Sequence, residues 1–429
     1  MTIADTMAMS DVVTSVHQGR IDPATRVRDA LARIHERDAE IHAWVRVLTD
    51  DRVSDPVSDG ALSGLTFGAK DVYATDAFET RYGLQQDVGL ATQGNATVVQ
   101  RLIDQGAVLI GKTVTAELAT YTPGPTRNPH CLSHTPGGSS SGSAAAVADG
   151  HVDFALGTQT AGSVIRPASF CGVVGFKPTH GRYPAGGMLD TCTALDTPGI
   201  FTRRLADLLC LDSVLAAVDN DASESSETLR VGIVAGPGMA QADSVVQDLF
   251  ARAVSALVQA GFEMRETGWD AFVETIGQLQ ARLHAGGVAR HLGWLCDRSG
   301  VDLSEKFRAM VATGAAIDDT EWSRCLEQQS AATAQFTQMM DSYDVLISLS
   351  APGTAPEGLQ STGDPVCNRA WTALGAPCVS VPVTTIEGLP IGFQLIAKQH
   401  DDRRLIAHAQ RIQAVWQSYF KSLEQESRQ

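Results

Sequence analysis

Pro136 to Gly150, PGGSSSGSAAAVADG, sets a run of serines between glycines and leads directly into small residues that read as a helix start. Taken alone, it is a polar turn capped by serine. A phosphate cradle is the next option, but no Gly-Lys-Ser/Thr follows to place an ammonium on a phosphate. A second stretch, LGTQTAGSVIRPASFCGVVGFKPTHGR from Leu156 to Arg182, surrounds Ser163 with Thr160, Ala161 and Gly162. Such small residues let backbone N–H groups approach a ligand oxygen, the composition of an oxyanion hole. In a third stretch, GLTFGAKDV, Lys70 ends a short apolar segment, where desolvation lowers an ammonium pKa toward that of a base. Two serines and a lysine supply the parts of a proton relay.

These stretches resemble the amidase signature family of serine amidohydrolases. AELATYTPGPTRNP ahead of the serine turn and LGAPCVSVPVTTIEGLPIGFQLI near the C-terminus extend the resemblance over most of the chain. The resemblance implies Lys70 as base, Ser139 as the middle member after the Gly-Gly pair, and Ser163, 24 residues further on, as nucleophile. It implies oxyanion donors at the backbone N–H groups of Thr160, Ala161, Gly162 and Ser163, and a cis Gly138–Ser139 peptide. It also implies that Leu118, Ala119, Thr120, Tyr121 and Trp371 line the substrate pocket; the plainer reading of Trp371 is a packed aromatic. Physically, neutral Lys70 takes the Ser163 proton through Ser139, and Ser139 returns it to the leaving nitrogen. Water then cleaves the acyl-enzyme by the same relay.

The sequence departs from the common family pattern at Ser141, Gln159 and Ala161, and Arg166 falls three residues after the nucleophile rather than two. Gln159 stands where the family usually has an aspartate. Without a carboxylate there, neutral Lys70 is expected to be easier to reach.

Other chemistries fit less well. His130, His134 and His180 lie near the signature, but prolines at 129 and 136 deny the HCLSH segment helical geometry, so surface histidines are expected rather than a triad or a zinc site. Cys171 sits in the apolar run CGVVGF and reads as an inert core thiol. The expected activity is hydrolysis of a small neutral, fairly apolar amide (carboxamide, anilide or carbamate) through an acyl-enzyme on Ser163, with no cofactor and no metal. The alternatives are an amide-donor (glutaminase) component of a tRNA-dependent amidotransferase and a non-catalytic binding scaffold. A small-molecule amide is the expected partner, and a homodimer is left open.

The elements that must position these groups follow from the wider pattern. A formal charge of −16 offers no basic footprint for nucleic acid. Apolar content of 44% with only 6% aromatics and 39 glycines suits an α/β protein rich in tight turns. Asp22 and Pro23 mark a helix start, with Val27, Ala30, Leu31 and Ile34 at helical spacing. Asn95 to Thr113 reads as a helix followed, after Gly106, by a buried strand. LRVGIVAG, YDVLISL, PCVSVPV and PIGFQLIAK are further strands separated by helical stretches. The expected fold is a central mixed β-sheet surrounded by α-helices, the amidase signature fold. It is read as a single domain over 1–429, with a catalytic core over 60–215, a helical cap-like segment over 273–340 and an acidic linker or surface loop at Val218 to Thr228. Eight cysteines without a CxxC pair, no secretory signal and no membrane-spanning run predict reduced thiols and a cytoplasmic protein.

Overall fold

The computed structural model describes residues 7–49, 59–90, 94–216 and 228–426. Asp22 accepts the N–H groups of Ala24 and Thr25, both at 3.1 Å, and opens the helix Pro23–Ile41. That helix buries Val27, Ala30, Leu31 and Ile34 on one side, as the spacing predicts. Farther along, Thr97–Asp104 is helical, Gly106 turns the chain at a φ of 87°, and the strand follows at Val108. Glycine is required there because the left-handed conformation crowds a Cβ.

The strands are β1 (Trp44–Val47), β2 (Thr66–Lys70), β3 (Val108–Thr113), β4 (Phe154–Gln159), β5 (Val174–Lys177), β6 (Thr197–Thr202), β7 (Arg230–Ile233), β8 (Glu263–Glu266), β9 (Val345–Leu349), β10 (Cys378–Ile386) and β11 (Leu389–Ile396). Among the described residues they form one 11-stranded sheet in the order β1-β3-β2-β4-β6-β5-β10-β11-β9-β7-β8. The sheet is mixed: β2 runs parallel to β3 and β4, whereas β4 pairs antiparallel with β6. Helices flank it, so the expected α/β architecture is the observed one. Every residue of β2 and β4 is buried, because parallel central strands are covered on both faces.

The 273–340 region forms the helices Asp270–Leu292, Glu305–Ala315 and Asp319–Met339. Residues 218–227 of the expected linker lie outside the described residues. No helix among the described residues is long and apolar enough to cross a membrane.

Candidate active site

Lys70 ends β2, buried between two neighbouring strands. Burial brings its pKa from 10.5 down to about 7, with the charge of Asp196 pulling the other way. Its Nζ lies 2.7 Å from Ser139 Oγ and 2.6 Å from Thr158 Oγ1. A lysine in this setting has a substantial neutral fraction at neutral pH and can accept a proton.

The serine turn divides its hydroxyls among different tasks. Ser139 follows a cis Gly138–Ser139 peptide and faces the lysine. Ser140 Oγ donates to Thr158 O and accepts from Thr158 N, each at 3.2 Å. Ser141 donates to Val114 O at 3.3 Å and Ser143 to Leu156 O at 2.8 Å. The turn is therefore stitched to β4 and to the end of β3. The reading as a serine-capped polar turn is corrected here: Ser140 precedes the helix Ser141–Ala148 but makes no side-chain cap bond, because its hydroxyl is spent on Thr158.

The segment Thr160–Ser163 leaves β4 with each of its first three carbonyls tied down. Gln280 Nε2 donates to Thr160 O at 2.7 Å, Thr372 Oγ1 to Ala161 O at 2.7 Å, and Arg166 N to Gly162 O at 3.0 Å. In a trans peptide the following N–H points opposite its carbonyl. The N–H groups of Ala161, Gly162 and Ser163 therefore each point away from a hydrogen-bonded carbonyl, which leaves them available to an oxyanion. Thr160 N–H belongs to the peptide after Gln159, the last residue of β4. A Cβ on Gly162 would lie 2.4 Å from Asn368 Oδ1 and 2.8 Å from Arg166 Nη1, so that position admits no side chain without displacing one of them.

Arg166 connects the two halves of the site. Its Nη2 donates to Gly138 O at 2.6 Å and its Nε to Thr362 O at 2.7 Å, holding the helix that follows Ser163 against the cis peptide. Burial lowers the guanidinium pKa to about 10. Ser163 itself is 7% exposed. Leu118, Ala119 and Thr120 are buried beside the serine turn, to which they are joined by Ala116 N donating to Ser139 O at 3.1 Å. Leu118 and Ala119 have φ of 47° and 59°, an unusual pair of left-handed non-glycine residues. Tyr121 is half-buried, its ring 5.9 Å from that of His284. Trp371 is 1% exposed and packs 6.0 Å from Phe336 in an apolar cluster.

His130 is exposed and bonds Cys171 O at 3.0 Å, and His134 bonds Ser133 Oγ at 3.0 Å. His134 and His180, both expected at the surface, are instead half-buried; the chain after β5 folds back against β6 and sets His180 Nδ1 3.4 Å from Thr197 Oγ1. Cys171 is fully buried, and burial pushes its thiol pKa well up, which suits a core thiol.

Several site residues escaped the sequence reading. Thr158, the second partner of Lys70, lies inside the GTQT stretch and carries no distinguishing local signal. Asp196 accepts Thr160 Oγ1 at 2.5 Å, Thr191 N at 2.6 Å and Cys192 N at 2.8 Å, and it places a buried carboxylate near the lysine. Gln280 and Thr372 come from distant helices.

The family model described as Amidase matches residues 25–406. A glutamyl-tRNA(Gln) amidotransferase subunit from Geobacillus sp. (strain WCH70) is 30% identical, the match covering 94% of this chain and 96% of that protein. The corresponding amidotransferase subunit from Symbiobacterium thermophilum is 29% identical over 92% of this chain and 94% of its own length. A solved structure described as an amidase superposes with a TM-score of 0.85 at 25% identity, covering 94% of this chain and 98% of that one.

Proposed function

The chain belongs to the amidase family and is an enzyme acting on carbon–nitrogen bonds other than peptide bonds, and from that premise we propose that it releases ammonia or an amine from a small amide through an acyl-enzyme on Ser163. The observation that carries this reading is the 2.7 Å contact between Ser139 and a fully buried lysine. Lys70 in its neutral form takes a proton from Ser139 Oγ as Ser139 takes one from Ser163 Oγ, and Ser163 attacks the carbonyl carbon. The tetrahedral oxyanion is met by the N–H groups of the Thr160–Ser163 row. Ser139 then donates a proton to the departing nitrogen, the C–N bond breaks, and water repeats the cycle on the ester.

Two substrate readings share this chemistry. The similar curated proteins are components of an amidotransferase, which favours an amide donor such as glutamine, with a protein partner to receive the ammonia. The small-amide reading has the solved amidase structure in its support. Following the purified chain for amine or ammonia release from glutamine, primary carboxamides, chromogenic anilides and aryl carbamates separates them. A mass adduct on the peptide containing Ser163, trapped with a serine-directed acylating agent, tests the shared mechanism. An active enzyme that is acylated elsewhere would refute it.

A further inference from the structure

The helix Glu305–Ala315 starts without a capping glutamate of its own. Ser304 is its N-cap, with Oγ accepting Phe307 N–H at 3.2 Å, and the third helical position, where a capping box places Glu or Gln to bond the N-cap N–H, holds Phe307. Glu117, 187 residues earlier, fills that place: its Oε1 accepts Ser304 N–H at 2.8 Å and its Oε2 accepts the Ser304 hydroxyl. A carboxylate offers acceptors alone, so Ser304 Oγ–H goes to Glu117 and the 2.6 Å contact with Thr122 Oγ1 is donated by Thr122. Ser304 Oγ thus gives one hydrogen bond and takes two. Glu117 is 6% exposed, a depth a carboxylate tolerates because both of its oxygens are engaged.

The same residue opens the segment Leu118–Tyr121. Glu117 N–H donates to Thr122 O at 2.9 Å, its carbonyl accepts Thr120 N–H at 2.8 Å and Thr120 Oγ1 at 2.7 Å, and Leu118 N–H donates to Tyr82 O at 2.8 Å. Within this set of bonds Leu118 and Ala119 take their left-handed conformations, which non-glycine residues keep only where the surroundings over-determine them. One residue upstream, Ala116 N–H donates to Ser139 O. On the other side, Gly314 lets the helix Glu305–Ala315 lie directly on Asp270–Leu292, where a Cβ would come 1.9 Å from Ala285 O, and the ring of the neighbouring His284 faces Tyr121. The two helices therefore reach the segment at two points, and the tie at Glu117 runs on to the turn that holds Ser139.

We propose that Glu117 is a positioning residue for the amide substrate: by capping the helix Glu305–Ala315 it fixes the Leu118–Tyr121 segment as one wall of the substrate pocket, and the wall takes its binding shape only while that helix is docked. This inference rests on the amidohydrolase reading of Ser163 and on Leu118–Tyr121 as pocket residues. The Glu117 oxygens are spent on Ser304, not on a reacting group. Loss of the tie should therefore weaken substrate binding and leave the Lys70–Ser139 relay intact.

Two readouts on the full chain test it. Hydrogen exchange in the peptide spanning residues 116–122 should accelerate about tenfold or more in Ser304→Ala and in Glu117→Gln, which keeps the shape of the side chain but turns an NH₂ group toward a Ser304 donor. Kinetics, with whichever amide or anilide the wild type turns over best, should show KM raised about tenfold, kcat within about twofold and the acid limb of kcat/KM unmoved. The double variant should lose no more than the larger single loss, since both substitutions break one tie. Unchanged exchange, losses that add, or an unchanged KM in the folded variants overturns the proposal. Ser304 is half-buried at the helix end, so Ser304→Ala carries both readouts even where a change at Glu117 impairs folding. Wild type that hydrolyses no amide overturns the catalytic reading and with it the substrate role of Glu117, while accelerated exchange leaves the tie itself standing. An active enzyme whose exchange and KM ignore Ser304→Ala refutes the tie and leaves the catalytic reading.

Discussion

Gln159 Oε1 accepts the backbone N–H of Val164 at 2.9 Å, and that of Ile165 at 3.0 Å, so the last side chain of β4 caps the turn immediately after Ser163. Its Nε2 donates to Thr372 Oγ1 at 3.0 Å, and the same hydroxyl donates to Ala161 O. A glutamine suits this place because it accepts at one end and donates at the other. The aspartate expected from the family pattern would lose the donor.

Substituting Gln159→Asp therefore tests position more than charge. Thr158 faces Lys70, and adjacent strand residues point to opposite faces, so a carboxylate at 159 sits on the far side of β4 from the base. The acid limb of the kcat/KM profile should stay in place, while kcat falls because the Thr372 clamp on Ala161 is loosened. A limb displaced to higher pH would show that the new carboxylate reaches Lys70.

Asp196 supplies the negative charge that Gln159 lacks. Removing it in Asp196→Asn takes away the influence that raises the Lys70 pKa, so the base becomes neutral at lower pH and the acid limb, expected near pH 7 in the wild type from the Lys70 pKa, should move down. The sign decides the matter: loss of activity with no displacement of the limb would mean that Asp196 only holds Thr160, Thr191 and Cys192 in place.

Ser163→Ala and Ser139→Ala should each lower kcat by about 10⁴-fold or more, with folding retained, as expected when members of one relay are removed. They differ in trapping, because Ser139→Ala keeps the acylatable hydroxyl. Slow labelling of Ser163 in Ser139→Ala, seen by mass spectrometry, is the expected outcome. Retention of wild-type turnover in either variant would remove that residue from the mechanism.

Away from the reaction, Lys112 and Asp71 form a fully buried pair at 3.2 Å, and Lys112 Nζ also donates to Tyr73 O and Thr80 Oγ1, each at 2.6 Å. Lys112→Met leaves the Asp71 carboxylate uncompensated and should destabilise the fold by about 3–5 kcal/mol, read from the denaturant midpoint. Adding Asp71→Asn to that variant should recover part of the loss.

The parts of the site with local signatures were legible in the sequence. Asp22 followed by Pro23 announces its helix because a cap acts within one turn, and the apolar run ending at Lys70 announces a buried strand because burial on both faces removes alternation. The glycines and small residues around Ser139 and Ser163 are visible because close backbone approach excludes side chains. What tertiary structure alone decided is which distant groups meet there. Asp196 reaches Thr160 across 36 residues, Gln280 across 120, and Thr372 reaches Ala161 across 211. Each is an ordinary polar residue in its own segment. It acquires a role only when sheet and helix packing set it against a backbone group that has lost its water, and no local spacing encodes that encounter. The same holds for the pKa of Lys70: its identity is written in the chain, but its proton affinity is fixed by how completely β3 and β4 exclude solvent around it.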